Sequence, residues 1–362
     1  SPFRAVRVDP AAKRAWVTGG SLLGLVDHEA MAHGLVTPMG TVSHTGVGGL
    51  VTGGGFGRVA RRFGLSVDNL LAVDVVTADG QLRRASASEN ADLFWGVRGG
   101  GGNFGVVTNF EFQLHPMQRQ VLSGRVMYPI ARAKDALNLY ASYAQEAPVE
   151  LQLDCAVVQP PGGAPGMVGF SVCYSGPASG ADKALAPVRA LGTPLADTVA
   201  PTDYVAVQRS GDVTDPRAMA MYMKGGFVAN VPADLISAIL SGFQGHPQRM
   251  TQIVLVQSGG AIARVPMGGT AFSHRDALAN MLVMVAWPNG GDAAPHTAWI
   301  KQYFQPLERF TTGFYVNDTP IDATTAAIQS NYRENHARLA AVKDKYDPKN
   351  LFRLNANVRP TA

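Results

Sequence analysis

The chain is poor in charge, in cysteine and in long apolar runs, and each shortage removes a class of protein. Charged residues make up 16% of its 362 positions, against roughly 25% in an average soluble chain. Disorder driven by charge repulsion is therefore excluded, and 46% hydrophobic residues are enough for a sizeable core. Lys+Arg 31 against Asp+Glu 27 leaves a net charge of only +4. No basic run exceeds Arg61-Arg62 or Arg83-Arg84, and aromatics do not interleave with bases, so no nucleic-acid partner is expected. Two stretches lack Asp, Glu, Lys and Arg, residues 30–57 and 155–181, but Gly, Pro, Ser and Thr interrupt both, so neither reads as a membrane span. Ser1-Pro2-Phe3-Arg4 leads into strand-like sequence without an apolar signal core. That favours a cytoplasmic protein, although a removed leader would leave no trace.

Familiar catalytic signatures are also scarce. Cys155 and Cys173 are the only cysteines and lie on two strand-like runs, where a hairpin disulfide competes with the commoner reading of buried thiols. No Cys/His spacing suits zinc. His28 and His33 are five residues apart, which on a helix is about 500° of rotation and puts them on different faces. No GxxxxGK[ST] or GxSxG occurs, which removes a P-loop nucleotidase and a serine nucleophile elbow.

Glycine is in excess, 40 residues, and it is clustered. Thr45-Gly46-Val47-Gly48-Gly49-Leu50-Val51-Thr52-Gly53-Gly54-Gly55-Phe56-Gly57 holds seven glycines in thirteen residues. Glycine lets the backbone approach a ligand closely and adopt positive φ, so successive N–H groups of such a loop can cradle phosphate oxygens without any cationic side chain. A second cluster, Gly99-Gly100-Gly101-Gly102-Asn103-Phe104-Gly105, matches GxGxxG, but a strand-like run follows it where a Rossmann loop requires a helix. His44 precedes the first cluster, and His274-Arg275 stands at a loop-to-strand junction; each has a functional and an ordinary structural reading.

Periodicity predicts an α+β protein. Strands are expected at 5–8, 14–19, 70–77, 82–85 and 105–114, with helices at 22–33 and 91–95, completing a first block near His115. From Gln118 the elements lengthen: strands 121–128, 151–159 and 167–174 with helices 131–145 and 181–191. After a Gly225-Gly226-Phe227 approach, a second round offers helices 233–243 and 297–310 with strands 251–256 and 278–287. Two such rounds predict one antiparallel sheet covered by helices on one face. A helix over 323–345 is stopped by Pro348, and an extended segment through Asn357 closes the chain.

Residues 39–57, then Phe63-Gly64-Leu65-Ser66-Val67-Asp68-Asn69-Leu70, Val75-Val76-Thr77-Ala78-Asp79-Gly80, Glu89-Asn90-Ala91-Asp92-Leu93-Phe94-Trp95 and residues 98–107 form an ordered series. It resembles the second half of the PCMH-type FAD-binding domain of the vanillyl-alcohol-oxidase superfamily, in its berberine-bridge-enzyme-like branch. Tyr315-Val316-Asn317 and the run from Lys345 to Asn357 are similar to that branch's closing motif. The resemblance implies a cofactor domain over residues 1–116, a substrate domain over 117–311 and a return to the cofactor domain over 312–362. It implies FAD, bound by Thr45, Gly46, Gly48, Gly49, Gly53, Gly54, Gly105, Val107, Asn355 and Asn357.

Four features depart from the branch's pattern or fall outside it. The family's Arg-x-Gly-Gly-His segment, whose His bonds covalently to flavin, precedes the part matched here, so FAD is expected to be noncovalent within these residues. Val42 stands where bicovalent members carry Cys, and Thr45 occupies the oxygen-gating position without deciding between oxidase and dehydrogenase. Asp318 stands where many members have a catalytic Tyr, so Tyr315 and Asp318 are both candidates for the general base. The Gln257–Ala261 region, where some members place a Glu base, carries no acid. The implied activity is removal of hydride from an alcohol, an amine or a C–H of a natural product or sugar, with oxygen as final acceptor. A non-redox member acting as cyclase, isomerase or ligand binder is the alternative, and a homodimer is left open.

Overall fold

The computed structural model describes residues 3–212, 218–318, 323–354 and 356–361. It contains a five-stranded antiparallel sheet and a larger antiparallel one, with the cavity treated below between them. In the smaller sheet the strand Val106–Gln113 is central, pairing with Arg14–Thr18 on one side and Leu70–Val76 on the other; Val6–Asp9 and Leu82–Ser86 form the edges. Its apolar face meets the helices Leu23–Met31 and Ala91–Val97 in one core that also holds the tail residues Leu339, Tyr346 and Val358. The chain thus returns to its first lobe at its end.

The larger sheet runs in the order Ala196–Asp197, Gln120–Pro129, Met167–Tyr174, Leu151–Gln159, Met250–Gln257, Ala279–Pro288, Met219–Val228. Strict alternation explains its two faces. Leu151, Leu153, Cys155, Ile253, Leu255, Met281 and Val283 point to a layer of helices, Ala133–Glu146, Ala181–Arg189, Ala233–Leu240 and Ala294–Glu308, and share one core with them. The intervening residues face the first lobe. The expected helix-covered antiparallel sheet is present, and the two cysteines are buried free thiols. Cys155 pairs with Phe170 and Cys173 with Gln152, a three-residue offset that sends their side chains to opposite faces of the hairpin.

Three local expectations are corrected. The glycine-rich run is not all loop: Val47–Gly53 forms a short helix, anchored by fully buried Val47 and Val51 one turn apart. Gly225-Gly226-Phe227, read as the approach to the second round, is itself part of a ten-residue strand; a side chain at Gly226 would come within 2.7 Å of Thr311. The single helix over 323–345 is two, Thr325–Asn331 and Asn335–Tyr346. Arg333 breaks it with φ +49°, and its guanidinium donates to Ser273 O (3.1 Å) and Asp276 Oδ1 (2.8 Å). That tertiary contact outweighs the continuous apolar spacing.

Candidate active site

Seven glycines could not pack as an ordinary helix and loop unless neighbouring backbone came very close, and it does. A Cβ on Gly57 would lie 1.7 Å from Met39 O, and one on Gly19 2.2 Å from Val107 O. Thr52 O receives the N–H groups of both Gly99 (2.9 Å) and Gly101 (3.0 Å), which locks the two glycine clusters together. Asn103 then ties in the tail: its Nδ2 donates to Gly100 O (2.7 Å) and Ala356 O (2.8 Å), while Val358 N donates to its Oδ1 (2.9 Å).

Between these segments and the large sheet lies a cavity of about 940 Å³, near the upper end of the roughly 300–1,000 Å³ typical of ligand sites. Thr45, Gly46, Gly48, Gly49, Gly105 and Val107 line its floor, and Tyr315 and Asp318 its inner end. A Cβ on Gly46 or Gly49 would meet no protein atom within 4 Å, so both present bare backbone to open space. Gly105 has φ +152° and leaves no room for a side chain beside Val76 O. Arg58 is the one cation among the described lining residues. This is a floor suited to a long, doubly charged ligand held through main-chain N–H groups.

The other site residues are placed differently. Gly53 and Gly54 lie behind the wall, against Asn317 and against Tyr315 and Phe272 respectively. Asn357 is half-buried and its Oδ1 has no hydrogen-bond partner; Asn355 lies outside the described residues. His44 is exposed and sits 3.4 Å from Asp212, away from the cavity. His274 is buried, stacked on Phe227 at 4.4 Å and bonded to Asn331 Oδ1 (3.1 Å); burial holds its pKa down at about 4, so it serves as packing. The Gly259-Gly260 turn, both at positive φ, leads into a short helix.

The two base candidates differ in surroundings. Tyr315 Oη accepts from Gly55 N (2.7 Å) and Asn317 Nδ2 (2.6 Å), and Asn317 Nδ2 also reaches Leu50 O (2.9 Å). Burial, the largest influence, raises its pKa well above the usual phenol value. The hydroxyl is a strut between the glycine run and the 316–318 turn. Tyr315→Phe is expected to cost about 1–3 kcal/mol in urea unfolding, the cost of a buried donor left unpaired. Among the described residues the Asp318 carboxyl is instead held by one bond, from Asn280 Nδ2 (3.2 Å), and burial raises its pKa to about 6.

The family resemblance implies a roof from the substrate domain's sheet, but sequence reasoning named none of its residues. Gln152, Asp154, Val256, Asn280 and Leu282 project from three adjacent strands into the cavity. The available signal was the alternation of Gln152 and Asp154 with buried Leu151, Leu153 and Cys155, which reveals two unlike faces. Asp154 Oδ1 accepts from Gln152 Nε2 (2.7 Å) and Gln257 N (2.9 Å); burial raises this carboxyl's pKa, opposed by these bonds and by the charges of Arg58 and Arg61.

A floor of bare glycine backbone facing a polar sheet roof, with a half-buried carboxyl bonded to that roof, defines an enzyme built around a dinucleotide-sized cofactor. Residues 3–86 match the family model "FAD binding domain" and residues 314–359 the model "Berberine and berberine like". The chain is 32% identical to an FAD-linked oxidoreductase of Dictyostelium discoideum over 99% of its own length and 78% of that protein's. It superposes on 6-hydroxy-D-nicotine oxidase from Arthrobacter nicotinovorans with TM-score 0.87 and 28% identity, covering 98% of this chain and 80% of that one. It superposes on a xylooligosaccharide oxidase from Myceliophthora thermophila with TM-score 0.84 and 26% identity, covering 100% and 81%. The chain belongs to the berberine-bridge-enzyme-like family of FAD-linked oxidoreductases, and FAD is its cofactor.

The floor gives a direct check on cofactor placement. Gly49→Leu adds bulk only to the cavity, so FAD affinity is expected to fall about tenfold or more by fluorescence titration. The cofactor-free protein should unfold no more easily, since glycine in a helix costs roughly 0.5–1 kcal/mol relative to alanine.

Proposed function

We propose that this enzyme oxidises a small organic alcohol or amine, with Asp318 as the general base and oxygen as the final electron acceptor. The observation that carries it is the position of Asp318: a half-buried carboxyl held, among the described residues, by a single hydrogen bond from the roof residue Asn280, on the wall of the cavity. When bound, FAD supplies the two-electron acceptor that takes hydride from the substrate carbon. Asp318 accepts the proton of the reacting O–H or N–H, Asn280 fixes its orientation, and Tyr315 holds the turn that carries it. A base with a pKa of about 6 is ionised at neutral pH and still basic enough to accept that proton.

In this reading residues 1–116 with 312–362 hold the cofactor noncovalently, through Thr45, Gly46, Gly48, Gly49, Gly105, Val107, Asn355 and Asn357, with Gly53 and Gly54 supporting the wall from behind. Residues 117–311 supply the roof. The test is anaerobic mixing of FAD-loaded protein with a panel of alcohols, amines and oligosaccharides, followed by admission of air. Loss of the oxidised flavin absorbance and its return in air is expected; flavin that dithionite bleaches but no member of the panel does would overturn the proposal.

A further inference from the structure

We propose that Asp154 and Gln152 form a second substrate-binding point, which selects a molecule about two rings long that carries a hydrogen-bond donor, hydroxyl or ammonium, at the end remote from the oxidised carbon. The proposal rests on oxidation taking place beside Asp318. Val256 pairs with Asn280, and Leu255 with Cys155, so Asp154, Val256 and Asn280 form a row across three neighbouring strands. Strands are about 4.8 Å apart, which separates the Asp154 and Asn280 backbones by about 10 Å. Asn280 holds Asp318 at one end of the row. At the other end, both bonds to Asp154 go to Oδ1, and among the described residues no donor reaches Oδ2. Gln152, 5% exposed, has a buried Oε1 with no partner.

Among the described residues Asn280 Oδ1 also lacks a donor, but it stands at the Asp318 end of the row; Asp154 Oδ2 and Gln152 Oε1 are the unfilled acceptors at the remote end. Val256 between the ends and Leu282, two residues from Asn280 on the same strand, are apolar and suit the body of a ring system. A buried acceptor left unfilled costs free energy, so a site of this kind discriminates strongly against an analogue that lacks the donor.

The test uses matched pairs on FAD-loaded protein: xylobiose against D-xylose for the hydroxyl arm, and 6-hydroxynicotine against N-methylpyrrolidine for the amine-ring arm. Binding is read from the perturbation of the oxidised flavin spectrum, and turnover from anaerobic reduction. In at least one pair the longer member is expected to bind about tenfold tighter or more, the scale of one hydrogen bond to a charged acceptor. Asp154→Asn, which turns an amide donor toward the cavity, is expected to abolish that preference. Gln152→Leu is expected to reduce it, and decides the matter if the Asp154 variant does not load with FAD. Equal binding of both members by the wild type in both pairs, or a preference unchanged in the variants, would overturn the proposal. Because spectral binding needs no turnover, a failure of Asp318 as base leaves this result readable.

Discussion

Asp318→Asn is expected to slow anaerobic flavin reduction by about 10²–10⁴-fold, the usual worth of a positioned general base, while FAD affinity is unchanged. The substitution keeps the shape of the side chain and a partner for Asn280, but removes the proton acceptor. In the wild type the limiting reduction rate should rise with pH through about 6, since only the ionised carboxyl accepts a proton, and burial has raised this group from its usual value of 3.8. The variant should lose that inflection. Stopped-flow absorbance across pH 4.5–8.5, a range chosen around that value, measures both. A variant that reduces its flavin at the wild-type rate would remove Asp318 from the mechanism.

The second large effect concerns the tail. Lys343 is fully buried and donates to Asn103 O (2.8 Å), Phe352 O (2.6 Å) and Asp347 Oδ2. Asp347 is as deeply buried and also accepts from Leu351 N (2.7 Å) and Phe352 N (2.8 Å). Lys343→Met leaves the Asp347 charge without its partner and frees the loop that carries Asn103. Removing one member of a buried pair costs about 3–5 kcal/mol, so the loss should be plain in urea unfolding. FAD affinity should fall with it, because Asn103 fixes Ala356 against the cavity. A loss of less than about 1 kcal/mol, the level of an exposed pair, would show that water already reaches this group.

Much of the fold was legible because strand alternation is local. Leu151–Gln159 and Met167–Tyr174 occur with the bounds expected from their apolar pattern and the Pro-Pro-Gly-Gly turn between them. What escaped depended on contacts distant in sequence. The helix Val47–Gly53 goes against glycine's propensity and exists because Val47 and Val51 are buried in the first core. The break at Arg333 exists because Ser273 and Asp276 lie beside it.

The candidate site divides in the same way. The clustering of glycines over residues 45–57 was readable as a backbone cradle, whereas Gly105 and Val107 came from the family resemblance, and Gly53 and Gly54 lie behind the wall. The roles of Tyr315 and Asp318 were not, since only the fold shows that one hydroxyl is held by two donors and one carboxyl is held by one. The pattern around Asp154 showed that its strand has a polar face but not that this face borders a cavity.

The three residues from Tyr315 to Asn317 do two jobs that are thermodynamically linked. The Tyr315 hydroxyl grips Gly55, within the glycine run, and Tyr315 O also receives the N–H of Asp318 (2.8 Å). One short turn therefore links the arrangement of the glycine run to the place of the Asp318 carboxyl, the proposed base. Linkage of this kind is reciprocal: if filling the floor orders the turn, then ordering the turn tightens the floor by the same free energy. Protein without its cofactor would then hold its base less firmly, so that readiness for chemistry arrives together with the electron acceptor that chemistry requires.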